Sequence, residues 1–423
     1  MTNTTNKTPK QNQSIASQAE YKALENTLGK SSKRSLGRTA IELIAFSLVA
    51  VAGLEYFFNI TGVGQQEFLE PDLKLGCKHI PNKQVTWRLE GFSNDTINSQ
   101  GLRDKEYSLS KAPNVVRIAT LGDSSTEGLQ VPLEETYAKV LEKSLNAKSS
   151  NAANNPKFEV INFACSSYST GQQLLQLKND VLKYKPDIVT LLYNRGDALE
   201  NIRDPRTLKV EPRPYFFIDS SGNLALDDGV LQAQKAKLQP NALTTFLRKN
   251  SRIYGVLTQT DLSLSINEKL YRRIKGWGEK FVSIFALKNN AVTTPNSSST
   301  NTTAAIDNAG LNATSTPSAT PDSWQVTAEL VKAMNQECKA HGARLVVLVF
   351  PNTLYFNDLI IQADALQKLG KKEGFVVRDL TEPFMYSGNV NALFLQYHFS
   401  AKGHKLVAQK LEDLLVKEEL VAK

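Results

Sequence analysis

The run Gly122-Asp123-Ser124-Ser125-Thr126-Glu127-Gly128 is the place in this chain where a hydroxyl is best positioned to do chemistry. It follows a β-prone apolar stretch, Val115 to Leu121, and precedes the helical periodicity of Leu133 to Leu145. A serine between a strand and a helix lies at the carboxyl edge of an open α/β sheet, where such folds place ligands. The N–H groups of a helix start are unpaired and carry a positive field, which suits an oxyanion beside a nucleophilic oxygen. Two plainer readings compete. Ser124 could simply cap a helix, or the turn could hold a phosphate, although no Gly-Lys-Ser/Thr follows to make a P-loop.

A nucleophilic serine needs a base, and the chain has four histidines. His79 lies early, in a segment mixing Pro, Gly and Asn. His341 sits in a turn after a helix, and His404 falls inside the last helical pattern. His398, in Tyr397-His398-Phe399-Ser400-Ala401-Lys402-Gly403-His404, comes after the last strand and before that helix. It therefore falls on the sheet edge that also carries Ser124, where a Ser–His pair can take and return a proton during acyl transfer. By position alone, a loop histidine ahead of a helix is the plainer reading.

The elements that must hold these residues alternate strand and helix. Strands are predicted at 115–121, 158–164, 188–193, 343–350 and 375–377, with helices at 133–145, 171–184, 326–341 and 401–416. This βαβ alternation implies a parallel sheet with right-handed crossovers. The expected fold is flavodoxin-like, a three-layer α/β/α sandwich with about five parallel strands. Between the third and fourth strands lies a long insertion. Its pattern predicts a hairpin at Tyr215 to Leu224, basic helical pieces from Leu243 to Phe285, and a Ser/Thr/Asn/Pro-rich loop from Asn289 to Pro321.

The motifs resemble the SGNH/GDSL hydrolase superfamily. Gly122-Asp123-Ser124 with Thr126 and Gly128 looks like its first block, and Asn162 to Thr170 resembles the second. Pro186-Asp187 through Asp197 and Asn201 resembles the third, and His398 with Gly403-His404 resembles the last. Asn98-Ser99-Gln100-Gly101-Leu102-Arg103-Asp104 resembles a lead-in of membrane-anchored members. The resemblance implies an ester hydrolase with Ser124 as nucleophile and His398 as base, needing no cofactor and no metal. It implies an oxyanion hole from the N–H groups of Ser124 and Ser167, with Asn194 as a side-chain donor if the loop is re-registered.

The chain departs from the family pattern at three points. The Asp expected two or three residues before the histidine is replaced by Gln396 or Leu395, so Gln396 and Asp379 are the candidates to orient His398. Ser167 stands where the family has Gly, and Gly196 where it has Asn. Loss of a triad carboxylate can cost about 10⁴ in turnover and loss of one oxyanion donor about 10² to 10³. Two readings follow: an esterase or deacylase acting on an acylated small molecule, glycan or lipid, or an impaired domain that binds acylated glycan or serves envelope assembly.

Composition bounds the rest. The net charge of +8 is diffuse, without aromatics interleaved among the Arg residues, which argues against nucleic acid as a partner. Three widely spaced cysteines give neither a disulfide framework nor zinc-ligand spacing, and Cys165 reads as a packed thiol. Leu43 to Leu54 carries no charge, and with its flanks it approaches the ~20 residues of a membrane span. Lys30, Lys33, Arg34 and Arg38 precede it, which puts the N-terminus inside the cell and the rest of the chain outside. The expected organisation is a disordered cytoplasmic tail over 1–38, a transmembrane helix over 39–60 and a lead-in over 61–113. The hydrolase domain then occupies 114–204 and 324–419, around an insertion over 205–323 that contains the loop 289–321. That loop lacks the apolar residues to offset the entropy of ordering it. Its deletion should therefore leave the melting temperature within a few degrees of the parent, and a large drop would show that it packs.

Overall fold

The run Val115–Leu121, rich in Val, Ile and Leu, forms the first strand of the main sheet and pairs with a neighbour on each side. The computed structural model describes residues 12–61, 67–88, 90–149, 156–194, 196–203, 211–234, 241–258, 321–351 and 356–421. The chain divides into two units, 1–64 and 65–423.

The first unit contains one helix, α1 (Asn12–Thr61). The expectation of an unstructured tail is corrected from Asn12 onward. Glu20, Lys22, Ala23, Leu24 and Glu25 are strong helix formers, and no proline separates them from the apolar stretch. Its segment Gly37–Thr61 is long and apolar enough to cross a membrane by length and composition, and none of it is buried.

The second unit begins with two antiparallel hairpins. They are β1 (Leu69–Asp72) with β2 (Gly76–His79), and β3 (Gln84–Trp87) with β4 (Ser93–Thr96). The sheet that follows comprises β5 (Val115–Leu121), β6 (Lys157–Asn162), β7 (Ile188–Tyr193), β10 (Arg344–Val349) and β11 (Val376–Asp379). They pair in parallel in the order β11-β10-β7-β5-β6. This is the flavodoxin-like order, which reverses between β5 and β7 and opens a crevice at their carboxyl ends. The hairpin β8 (Tyr215–Ile218) and β9 (Leu224–Asp227) stands apart from this sheet.

Side chains alternate across the strands and so build two cores. On one face Ala119, Leu121, Val189, Leu191, Val347 and Val349 pack against α4 (Thr170–Asn179), α9 (Pro321–Ala340) and α10 (Phe356–Glu373). On the other Ile118, Val160, Leu192, Val346 and Leu348 pack against α3 (Tyr137–Ser149) and α12 (Ala401–Lys417). The remaining helices are short. α2 (Ser124–Glu127) follows β5, α5 (Gly196–Glu200) follows β7, α6 (Gly229–Gln234), α7 (Ala242–Asn250) and α8 (Arg252–Thr258) follow β9, and α11 (Thr381–Met385) follows β11.

The long helix predicted after Ser124 begins later than expected. A single turn, α2, closes first on Gly128, which adopts a left-handed φ of 68° and donates its N–H to the Ser124 carbonyl. The predicted helix over 171–184 is likewise interrupted, ending as α4 before a 3-10 turn at Val181–Tyr184. Residues 289–320 of the expected loop and the basic cluster 272–275 lie outside the described residues.

Candidate functional site

The serine turn is shaped by its own side chains. A Cβ on Gly122 would lie 2.1 Å from the Thr126 hydroxyl, so the strand can enter the turn only with glycine there. Asp123 caps α2 by accepting from the Ser125 N–H at 2.9 Å, and its other oxygen accepts from the Asn194 amide at 3.1 Å. Asn194, a candidate oxyanion donor, therefore braces the turn one residue from Ser124.

His398 reaches the same edge from the loop ahead of α12. A Cβ on Gly403 would lie 2.1 Å from the Leu393 carbonyl, so glycine is what lets α12 sit against this loop. The Ser124 hydroxyl donates to His398 Nε2 at 2.8 Å. His398 Nδ1 donates to a Glu90 carboxylate oxygen at 2.7 Å, and the Tyr397 N–H donates to the same oxygen at 3.3 Å. A carboxylate on Nδ1 fixes the proton there and leaves Nε2 as the acceptor facing serine.

The orienting position thus has an occupant that the sequence reading did not name. Gln396 is exposed, and Asp379 accepts from the Thr381 N–H at 2.8 Å. Neither meets His398, because Glu90 fills the space at Nδ1. Glu90 is carried by the turn between β3 and β4 and holds a left-handed φ of 54°. Its neighbour Gly91 has a φ of 153°, and a Cβ there would lie 2.2 Å from the Gln130 carbonyl, so the turn is pressed against the domain where a side chain has no room.

Among the described residues, no protein acceptor meets the N–H groups of Ser124 and Ser167. Ser167 is exposed and has a φ of 66°, the left-handed region. That backbone explains why a glycine is favoured at this position, and why a serine there keeps the N–H direction at a cost in strain.

Below the serine lies a layer of buried charge. Glu127, fully buried, accepts from His79 Nε2 at 2.9 Å, from the Ser166 N–H at 2.7 Å and from the Ser166 hydroxyl at 2.5 Å. Burial opposes its ionisation, but the His79 charge and these hydrogen bonds outweigh that and hold the carboxyl below its usual range. Burial likewise opposes the charged form of His79, and the adjacent Glu127 carboxylate, with the Gly101 carbonyl on Nδ1, overcomes it and raises the imidazole. Arg103 is also buried and donates to the carbonyls of Glu127, Gly128 and Val131 at 2.7, 2.9 and 2.7 Å, and to the Asp95 carboxylate. Asp104 accepts from Lys139 at 2.7 Å and from the Asn162 N–H at 2.8 Å. The sequence resemblance flagged Arg103 and Asp104 without a role. Their work is to fasten the lead-in to the turn after β5, to α3 and to the end of β6.

The profile of the GDSL-like Lipase/Acylhydrolase family matches residues 118–411. The chain belongs to that family. Among solved structures, the fold is similar to the lipase/acylhydrolase from Enterococcus faecalis, with 11% identity and a TM-score of 0.37 over 72% of this chain and 96% of that one. It is also similar to the psychrotrophic esterase EstA from a Pseudoalteromonas species, with 12% identity and a TM-score of 0.35 over 72% of this chain and 99% of that one. No curated protein sequence matches the chain. The family pattern begins inside β5, so Glu90, His79 and Arg103 all lie before it.

Two buried histidines give this acylhydrolase-family domain a stability optimum. Burial, with the Arg103 and His398 charges adding, pushes His404 down to about 3, and its Nδ1 accepts from the Tyr137 N–H at 3.2 Å. A depressed histidine contributes fully above its unfolded value of about 6.5 and loses that contribution as pH falls toward the folded value. His79 is raised, so its contribution is complete below about 6.5 and declines as pH rises through the folded value. Stability should therefore peak near neutrality. Between about pH 6.5 and about pH 5 the His404 contribution falls by on the order of 2 kcal/mol. Denaturant titrations of wild type and His404→Gln across that window test this. The variant should show a flatter acid limb, and parallel limbs would remove His404 as the cause.

Proposed function

We propose that this protein is a serine ester hydrolase in which Ser124 is the nucleophile, His398 the base and Glu90 the carboxylate that orients the histidine. The continuous chain of hydrogen bonds from Ser124 through His398 to Glu90 carries this reading. Ser124 Oγ attacks an ester carbonyl as its proton passes to His398 Nε2. Glu90 stabilises the imidazolium and keeps its ring plane fixed. The N–H groups of Ser124 and Ser167 stabilise the oxyanion. The imidazolium returns its proton to the leaving alcohol, leaving an acyl-serine. A water, deprotonated by the same nitrogen, then releases the acid.

The Glu90 contact answers the missing carboxylate, one of the three departures, beside Ser167 and Gly196, that favoured a binding module. The apolar segment Gly37–Thr61, with basic residues before it, supports a single membrane anchor with the N-terminus cytoplasmic and the hydrolase on the outer side. On that topology the acyl ester belongs to an envelope glycan or lipid.

A fluorophosphonate probe and a short-chain nitrophenyl ester test the proposal together. Wild type should be labelled and should turn over the ester. Ser124→Ala should lose the label and at least about 10³-fold of the turnover. Labelling or turnover that survives in Ser124→Ala would refute the assignment.

A further inference from the structure

β2 and the loop after β6 meet through one cysteine from each. Cys165 is buried in a small apolar cluster with Leu75 and Tyr168, and Cys77 packs against the same cluster. One small cluster thus brings a thiol of the lead-in and a thiol of the loop after β6 together. The backbone around them is pinned on both sides. The Tyr168 hydroxyl donates to the Cys77 carbonyl at 2.6 Å, and the Gln172 amide donates to the Leu75 carbonyl at 2.6 Å. The third cysteine, Cys338, is buried on α9 in the core of the sheet. Both elements also serve the site region. β2 ends in His79, which bonds Glu127, and the loop that starts at Cys165 includes Ser166 and Ser167.

We propose that Cys77 and Cys165 are a redox-active pair that closes to a disulfide, stapling β2 of the lead-in to the loop after β6. Cys77 is half-buried and Cys165 is buried, so an oxidant meets Cys77 first. The neighbouring Cys165 thiol lowers Cys77, which makes it the better thiolate, whereas burial raises Cys165. With a small-molecule disulfide as oxidant, the Cys77 thiolate attacks one sulfur and expels one thiolate, leaving a mixed disulfide. Cys165 then attacks the Cys77 sulfur, its proton leaving with the second expelled thiol. The protein dithiol is oxidised by two electrons, and the small disulfide is reduced to two thiols. The pair lies 88 positions apart, from Cys165 minus Cys77, so the closed loop is long and its closure removes substantial entropy from the unfolded chain.

The test uses the full chain in detergent, reduced, desalted and then equilibrated with oxidised glutathione. Denatured protein should titrate three thiols before oxidation and one after it, with peptide mapping linking Cys77 to Cys165. The melting temperature should rise by roughly 5–10 °C on oxidation. Cys338→Ser should show the same rise, and Cys77→Ser should show none. Cys165→Ser should trap a glutathione adduct on Cys77. Three titratable thiols after oxidation, or a linkage through Cys338, would overturn the pairing.

Discussion

A carboxylate buried with no access to water must find its counter-charge inside the protein, and Glu127 is that carboxylate here. It ends the one-turn helix that begins at Ser124, and its partners come from two other segments, His79 on β2 and Ser166 in the loop after β6. Removing any of them leaves a charge or a donor unpaired in the interior. The serine turn, the lead-in and the Ser167 loop are therefore fastened as one unit, and Arg103 closes it by taking up the carbonyls that end the turn.

That fastening is what makes the position of Glu90 intelligible. A carboxylate that serves a histidine is ordinarily expected close to it in sequence, yet the Glu90 that meets His398 is 308 residues away. A residue so distant can hold a hydrogen bond of 2.7 Å only if its hairpin is rigidly docked. The docking is done by Arg103 bonding Asp95 on β4, by the Ser93 hydroxyl donating to the Leu129 carbonyl at 2.6 Å, and by the close approach of Gly91 to Gln130. The lead-in is thus a structural part of the site, although the family pattern begins only after it.

Much of the fold was legible because burial on both faces of a parallel sheet writes continuous Val/Ile/Leu runs, and 115–121, 188–193 and 344–349 are such runs. The sequence reading assigned no element between Phe350 and Phe375, although parallel pairing of β10 and β11 requires the crossover that α10 supplies. Ser124 and His398 were legible because topology brings the end of β5 and the start of α12 to one edge. Glu90 was not, because its contact with His398 depends on a hairpin docked through tertiary contacts, and motif spacing pointed instead to Gln396 and Asp379. The only local signal was a Glu-Gly pair between two β-prone runs. The tail before the span was misjudged for the opposite reason, since polar composition masked good helix formers.

The central claim is that Glu90 orients His398 for proton transfer from Ser124. The direct measurement is kcat for ester hydrolysis in wild type, Glu90→Gln and Glu90→Asp, with KM and the melting temperature recorded for each. The account predicts that Glu90→Gln loses roughly 10²- to 10⁴-fold in kcat with little change in KM or fold. It also predicts partial recovery in Glu90→Asp. A Glu90→Gln enzyme with wild-type kcat would contradict it.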